Sequence, residues 1–233
     1  MPELPEVEVI KRGLVLHLPG RKVLKIVAGN RKLRQPMPRK NLKEFIQGAR
    51  IKSVDRRAKF LLITMHNGAI LLVHLGMTGR LGIFPADSPR AKHNHLRLHL
   101  DNGMQLRFND IRRFGSIQVI PPGKGLDNTM LSHIGPEPFG QGFNPFYLRQ
   151  LAAGKKRPVK NFLMDSRVVA GIGNIYACEI LFHAGLNPGR KISTLSINEW
   201  ENIVAGTHHV LKKAIDSGGT TISDFVNESG KSG

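Results

Sequence analysis

Residues 60–75, FLLITMHNGAILLVHL, and residues 95–108, HLRLHLDNGMQLRF, decide the fold. Each sets an Asn-Gly pair between apolar or alternating runs, the strongest short-range signal for a β-hairpin. Asparagine and glycine tolerate the positive backbone torsions that a tight turn between strands requires. The first half of the chain is therefore expected to be mainly antiparallel sheet.

Working outward, the opening MPELPEVEVIKRGLVLHLPG carries one helix. Val7, Ile10 and Leu14 form an apolar stripe, Pro5 suits a first helical turn, and Pro19-Gly20 ends the segment. The stripe should pack on the sheet, which leaves the first residues just ahead of a docked helix, at the positive end of its dipole. On the other side, PPGKGLDNTMLSHIGPEPFGQGFNP (121–145) is dense in proline and glycine and reads as a linker over 121–144. Beyond it the apolar spacing becomes helical in PFYLRQLAAG, KNFLMDS, NIYACEILFHAG and SINEWENIVAGTHHVLKKAIDSGG. Ser196 and Glu199 make a capping box for the last of these, and Gly218 and Gly219 stop it. The expected architecture is α+β: a β domain over 1–120, the linker, and a helical domain over 145–233.

The 233 residues are 40% apolar, enough to supply real cores. Lysine and arginine number 35 against 17 aspartates and glutamates, a formal charge of +18, so a polyanion is the natural partner. The basic residues are spread through structured segments and do not gather in one amphipathic helix, which favours nucleic acid over a membrane surface. The longest apolar stretches, such as AILLVHLGM from Ala69, fall short of the ~20 residues that span a bilayer, and the N-terminus lacks a signal peptide's positive region. Cys178 is the only cysteine, so no intrachain disulfide or four-cysteine finger can form, and a reducing cytoplasm is expected. His93, His95 and His99 would share one face of a strand, but no carboxylate with ligand spacing joins them, and no metal is expected.

The terminus carries chemistry of its own. Initiator methionine is normally removed before a small residue, which would make Pro2 the mature N-terminus and its nitrogen a secondary amine. An α-amino group titrates near ~8 against ~10.4 for lysine, so it is far more nucleophilic at neutral pH. Glu3 beside it, with Glu6 in support, could move the protons that imine formation needs.

Five motifs follow in order: PELPEVE (2–8), RRAKFL (56–61), HLGMTG (74–79), DIRRFG (110–115) and GIGNIYACE (171–179). Together they closely resemble the formamidopyrimidine-DNA glycosylase family of bacterial base-excision repair, over essentially the whole chain. The resemblance implies an N-terminal β-sandwich with a leading helix, then a helical domain holding a helix-two-turn-helix motif. It implies a cytoplasmic, nucleoid-associated monomer that acts on double-stranded DNA, excising oxidised purines such as 8-oxoguanine and formamidopyrimidines and then cleaving the abasic site, with no cofactor. Pro2 would be the Schiff-base nucleophile and Glu3 its acid/base partner. Lys59, a strand-borne lysine after two arginines, would donate a proton in β-elimination and contact phosphate. Met77, Arg112 and Phe114 would fill the void left by the flipped nucleotide. Asn174 matches a phosphate contact, and His74, His93 and Lys155 match further DNA contacts.

Two departures stand out. The family normally ends in a four-cysteine zinc finger, and this sequence ends at GKSG before one, so zinc is expected only if a longer protein carries that finger. The family's DPRRFG has Ile111 in place of its proline. Two other readings remain open: the sister glycosylase for oxidised pyrimidines, against which the leucine after Glu3 and the DIRRFG motif speak, and a basic protein that binds DNA or RNA without catalysis.

Overall fold

A computed structural model describes residues 1–89, 91–127 and 129–219, so the end of the expected helical domain, 220–233, lies outside the described residues. Helix α1 (Leu4–Val15) has proline in its first turn and buries Val7, Ile10 and Leu14, as the stripe predicts. Two four-stranded antiparallel sheets follow. One has the order β1 (Val23–Ala28), β6 (Asn94–Leu100), β7 (Met104–Asp110), β5 (Gly79–Pro85). The other runs β2 (Ile51–Arg57), β3 (Phe60–Met65), β4 (Ile70–His74), β8 (Ser116–Ile120).

The two sheets and α1 enclose one core, to which β3 gives Leu61 and Ile63, β4 gives Leu71 and Val73, and β7 gives Leu106 and Phe108. Strand β3 is buried on its other face too: Phe60 and Leu62 join Leu72 and Leu131 in a second cluster, so Leu131 with its neighbours Met130 and Ile134 covers this side of the sheet. That double burial explains why FLLITM is apolar without alternation. Both Asn-Gly turns form as expected, with Gly68 and Gly103 at φ 86° and 76°. Each asparagine side chain closes its turn, Asn67 Oδ1 accepting from Ala69 N at 3.0 Å and Asn102 Oδ1 from Met104 N at 3.2 Å. Between the first two strands lies a short helical excursion, α2 (Arg39–Asn41) running into a π-turn over Leu42–Ile46, which the spacing of apolar residues does not reveal.

The second half is helical: α3 (Pro145–Ala152), α4 (Val159–Leu163), α5 (Asn174–His183) and α6 (Ile197–Asp216). The capping box of Ser196 and Glu199 is present, and Gly219 N donates to Ala214 O at 2.8 Å to close α6. Two turns separate α4 from α5, the helix-two-turn-helix arrangement. The helical core contains Phe162, Tyr176, Ile180, Trp200 and, from the opposite end of the chain, Leu4. Helix α1 therefore belongs to both cores: its first residue is buried among the helices and the rest of its stripe in the sandwich.

The histidine reading needs correction. His93 lies before β6, in a turn, at φ 69°. The register shifts between Asn94 and Leu96, and the displaced His95 is buried with Nε2 2.8 Å from Asp110 O. A bulge of this kind breaks the alternation on which a shared face depends, so the three histidines do not gather. Among the described residues no helix is long and apolar enough to cross a membrane.

Candidate active site at the N-terminus

Residues 2–6 are clamped into the start of α5, 170 residues away in the chain. Leu4 N donates to Gly171 O at 3.0 Å, and the Glu3 carboxylate accepts from Gly173 N at 2.6 Å, Ile175 N at 3.0 Å and Tyr176 N at 3.4 Å. These N–H groups belong to the first turn of a helix, where they have no partner inside the helix and the dipole favours an anion. Glu3 is only 2% exposed. Its own N–H donates to Glu6 Oε2 at 2.8 Å, and Glu6 Oε1 accepts from the Tyr176 hydroxyl at 2.6 Å, so both ends of α1's first turn are fixed by α5.

The glycines of GIGN follow from this contact. Gly171 has φ 81°, and a Cβ there would stand 2.6 Å from the Leu4 Cβ. At Gly173 a Cβ would stand 2.5 Å from Glu3 Oε1 and 2.6 Å from Lys59 Nζ. The carboxylate and the ammonium thus converge on a space that only glycine leaves open.

Lys59 is not on a strand: it occupies, with Ala58 at φ 53°, the two-residue turn between β2 and β3. Burial lowers its pKa below the ordinary lysine value, with Glu3 and Glu6 pulling the other way. The arginines before it hold the turn in place. Arg57 Nη2 donates to Ile134 O at 2.9 Å and Gly135 O at 2.6 Å, and its Nη1 meets Glu137 at 2.9 Å. Arg56 bridges Glu8 of α1 and Glu137 of the linker, at 2.8 Å to each, while Ala58 N donates to Glu137 Oε1 at 2.7 Å. Burial works against ionisation of Glu137, yet Arg56, the Ala58 N–H and Arg57 together hold its pKa below the usual carboxylate value.

A cleft of about 730 Å³ opens beside Met1, walled by Arg34, His74, Met77, Arg112 and Phe114. Pro2 is buried behind Met1, which is 43% exposed. The His74 Nδ1 accepts from Gly76 N at 3.1 Å, so its proton is on Nε2. Burial, then the charges of Lys59 and Arg34, pushes the His74 pKa down to about 4, leaving a neutral imidazole at physiological pH. Arg112 and Phe114 sit on a ridge, residues 110–115, pinned from below by the fully buried Asp110. That carboxylate accepts from Thr78 Oγ1 at 2.6 Å and Gly115 N at 2.8 Å, and Thr78 Oγ1 in turn accepts from Arg112 N at 3.1 Å. Gly76 lets the two motifs touch, since a Cβ there would lie 2.4 Å from Gly115 N. The ridge raises a 45% exposed Phe114 ring with the Arg112 guanidinium 4.9 Å above it.

Pro2, Glu3, Glu6 and Lys59 are therefore one cluster, with His74, Met77, Arg112 and Phe114 as its wall. Asn174, exposed, opens α5 next to Gly173. His93 lines a separate cleft across the ridge, and Lys155 is exposed after α3, brought to neither. Tyr176, Asp110, Thr78 and Glu137 support the cluster without a sequence signal of their own, although the first three lie inside the motifs GIGNIYACE, DIRRFG and HLGMTG.

Residues 1–117 match the N-terminal domain of formamidopyrimidine-DNA glycosylase, and residues 134–226 match its H2TH domain. The chain belongs to the formamidopyrimidine-DNA glycosylase family. As a member of this glycosylase family it is a DNA-repair enzyme whose partner is DNA. The formamidopyrimidine-DNA glycosylase of Legionella pneumophila subsp. pneumophila is 44% identical over all of this chain and 84% of its own. The fold overlays that of Lactococcus lactis Fpg (MutM) bound to DNA containing N7-benzyl-Fapy-dG, with a TM-score of 0.88 at 31% identity, covering 99% of this chain and 85% of that one. The same Lactococcus protein bound non-covalently to DNA with an AP site gives 0.87 at 31% identity, over 94% and 83%. For the family's zinc, no group of three or more His, Cys, Asp or Glu among the described residues could hold a metal.

Proposed function

We propose that this glycosylase excises oxidised purines through a Schiff base on Pro2 and then cleaves the abasic site by β-elimination. The observation that carries the reading is the convergence of the buried Glu3 carboxylate, whose residue adjoins Pro2, and the half-buried Lys59 Nζ on Gly173. Loss of Met1 would turn the Pro2 nitrogen from an amide into a secondary amine and vacate part of the cleft that Met1 now lines.

A stacked nucleotide is out of reach, so the lesion must be flipped into the cleft at a cost of a few kcal/mol. Met77, Arg112 and Phe114 are suited to refill the gap: a flexible thioether, a guanidinium for the widowed base, and a ring that wedges between base pairs. The Pro2 nitrogen then bonds to C1′ as the bond from C1′ to the damaged base breaks, its N–H proton passing to the Glu3 carboxylate while the departing base takes a proton from solvent. Glu3 then delivers the proton it received to the sugar ring oxygen as the ring opens, leaving an iminium. Transfer of a C2′ proton to Glu3, a carboxylate again after ring opening, expels the 3′ phosphate, with Lys59, its pKa lowered by burial, holding that phosphate and serving as its proton donor. Asn174, His93 and Lys155 would add phosphate contacts, which position DNA without reading its sequence.

Borohydride reduction of the iminium on an 8-oxoguanine duplex should yield a stable protein–DNA adduct, with far less from Pro2→Gly. Intact-mass analysis should find Met1 removed. No adduct with 8-oxoguanine or an abasic duplex, or preferential cleavage of thymine glycol, would overturn the reading.

A further inference from the structure

The ridge has a second side. Met77, Arg112 and Phe114 line the cleft beside Met1, whereas Ile111, in the same loop, lines a different cavity of about 480 Å³ that shares no residue with the first. Ile111 is 58% exposed, beside the arginine pair Arg112 and Arg113. The cavity has an apolar floor that includes Leu81 and Phe84, and its rim carries Arg80, Lys92 and His93. No acidic residue lines it among the described residues. Arg80 faces Asn109 across the β5–β7 ladder, immediately below Ile111, so the cationic rim and the apolar side chain sit side by side.

We propose that the ridge is two-sided, with Ile111 and this cavity seating the strand complementary to the lesion. The occupant follows from continuity and charge. A duplex straddling the ridge presents one strand to the Pro2 cleft, so its other strand must lie on the Ile111 side, only one residue from Arg112. The cationic rim suits that strand's phosphates, and the apolar floor and Ile111 suit its sugars and the edge of a base unstacked by the wedge. Ile111 is then a specificity-determining contact: it packs against whatever stands opposite the lesion or beside it, and its bulk sets how far that base can move. His93 and Lys92 belong with it, on the complementary strand, and not with the catalytic cluster.

The inference rests on the DNA-wedge part of the proposed function and not on the Pro2 chemistry, so it is tested with a duplex holding a non-cleavable tetrahydrofuran site. 2-Aminopurine is set opposite that site in the complementary strand. Ile111→Ala should weaken duplex binding about fivefold and reduce the fluorescence rise on binding, while affinity for the damaged strand alone stays the same. Lys92→Ala should lower the salt slope of duplex binding by about one. Phe114→Ala is the separate test of the ridge. If it weakens binding while Ile111→Ala and Lys92→Ala change neither affinity, fluorescence nor salt slope, the two-sided assignment is wrong. If Phe114→Ala also has no effect, the wedge reading itself fails.

Discussion

Glu3 and Gly173 are joined by a 2.6 Å hydrogen bond from the glycine N–H to Oε2, and they leave no room for a methyl group between them. At φ −132° an alanine would be unstrained at position 173, so any penalty is purely one of space. The Cβ would stand 2.5 Å from the Glu3 Cδ and 2.6 Å from Lys59 Nζ, forcing both groups aside. Gly173→Ala is expected to cut borohydride trapping by about a hundredfold, the order of loss that follows from a 1 Å misplacement. Thermal unfolding should move far less. Trapping at wild-type yield would mean that the pair is not part of the chemistry.

Tyr176 tests the same clamp from the other side. Its hydroxyl donates to Glu6 Oε1 at 2.6 Å, and Glu6 Oε2 accepts from Glu3 N at 2.8 Å. All three residues are buried. Tyr176→Phe removes one donor to an enclosed carboxylate, which costs about 1–3 kcal/mol. Urea denaturation should register that loss as a lower midpoint with an unchanged slope.

Much of this was legible before any coordinates, and the limit has a physical pattern. The α1 stripe of Val7, Ile10 and Leu14 and the turns at Asn67-Gly68 and Asn102-Gly103 are local signals, set by period and by torsional preference, and both formed as expected. The motifs likewise hold the residues of the cluster, because each carries its contributing side chain within a few positions. RRAKFL suggests a strand-borne Lys59 because nothing in it announces the positive φ of Ala58. That torsion is imposed by Arg57 and Glu137, partners that lie 80 residues apart. The run from His93 suggests one strand face because a bulge shifts register without altering the run of residue types. Contacts such as Glu3 to α5 or Gly76 to Gly115 join distant segments, and sequence spacing does not encode them.

His74 makes a prediction about acid stability. Its folded pKa is near 4, against an ordinary value of 6.5, so between those limits the unfolded chain binds more protons than the folded one. Stability must therefore rise with pH across that window and level off above it. The contribution is on the order of 2 kcal/mol, less than the full shift implies because the ring keeps some solvent contact. His74→Gln should flatten the rise in unfolding free energy between pH 4 and 6.5. An imidazole NMR titration with a midpoint above 6 would contradict the burial argument.

Glu137 is the residue through which the segment ahead of α3 reaches the turn carrying Lys59, and its charge can be tested by pH. Arg56 and Arg57 each meet its carboxylate, at 2.8 and 2.9 Å, and Ala58 N donates to it at 2.7 Å, so three groups of the turn carrying Lys59 share this one carboxylate. Glu137→Gln keeps the shape but removes the charge, leaving two partly buried guanidinium groups short of a partner, a loss on the order of 2 kcal/mol at neutral pH. Because the folded carboxylate titrates below its unfolded value, its contribution is complete above the unfolded pKa and is lost as pH falls through the folded one. The gap in unfolding free energy between wild type and Glu137→Gln should therefore be widest near pH 7 and narrow as pH falls below the ordinary carboxylate value. At pH 7, single-turnover cleavage of an abasic duplex should slow as Lys59 loses its support, while affinity for the duplex changes little. A stability gap that stays constant with pH would show that the ionised carboxylate is not what holds the turn.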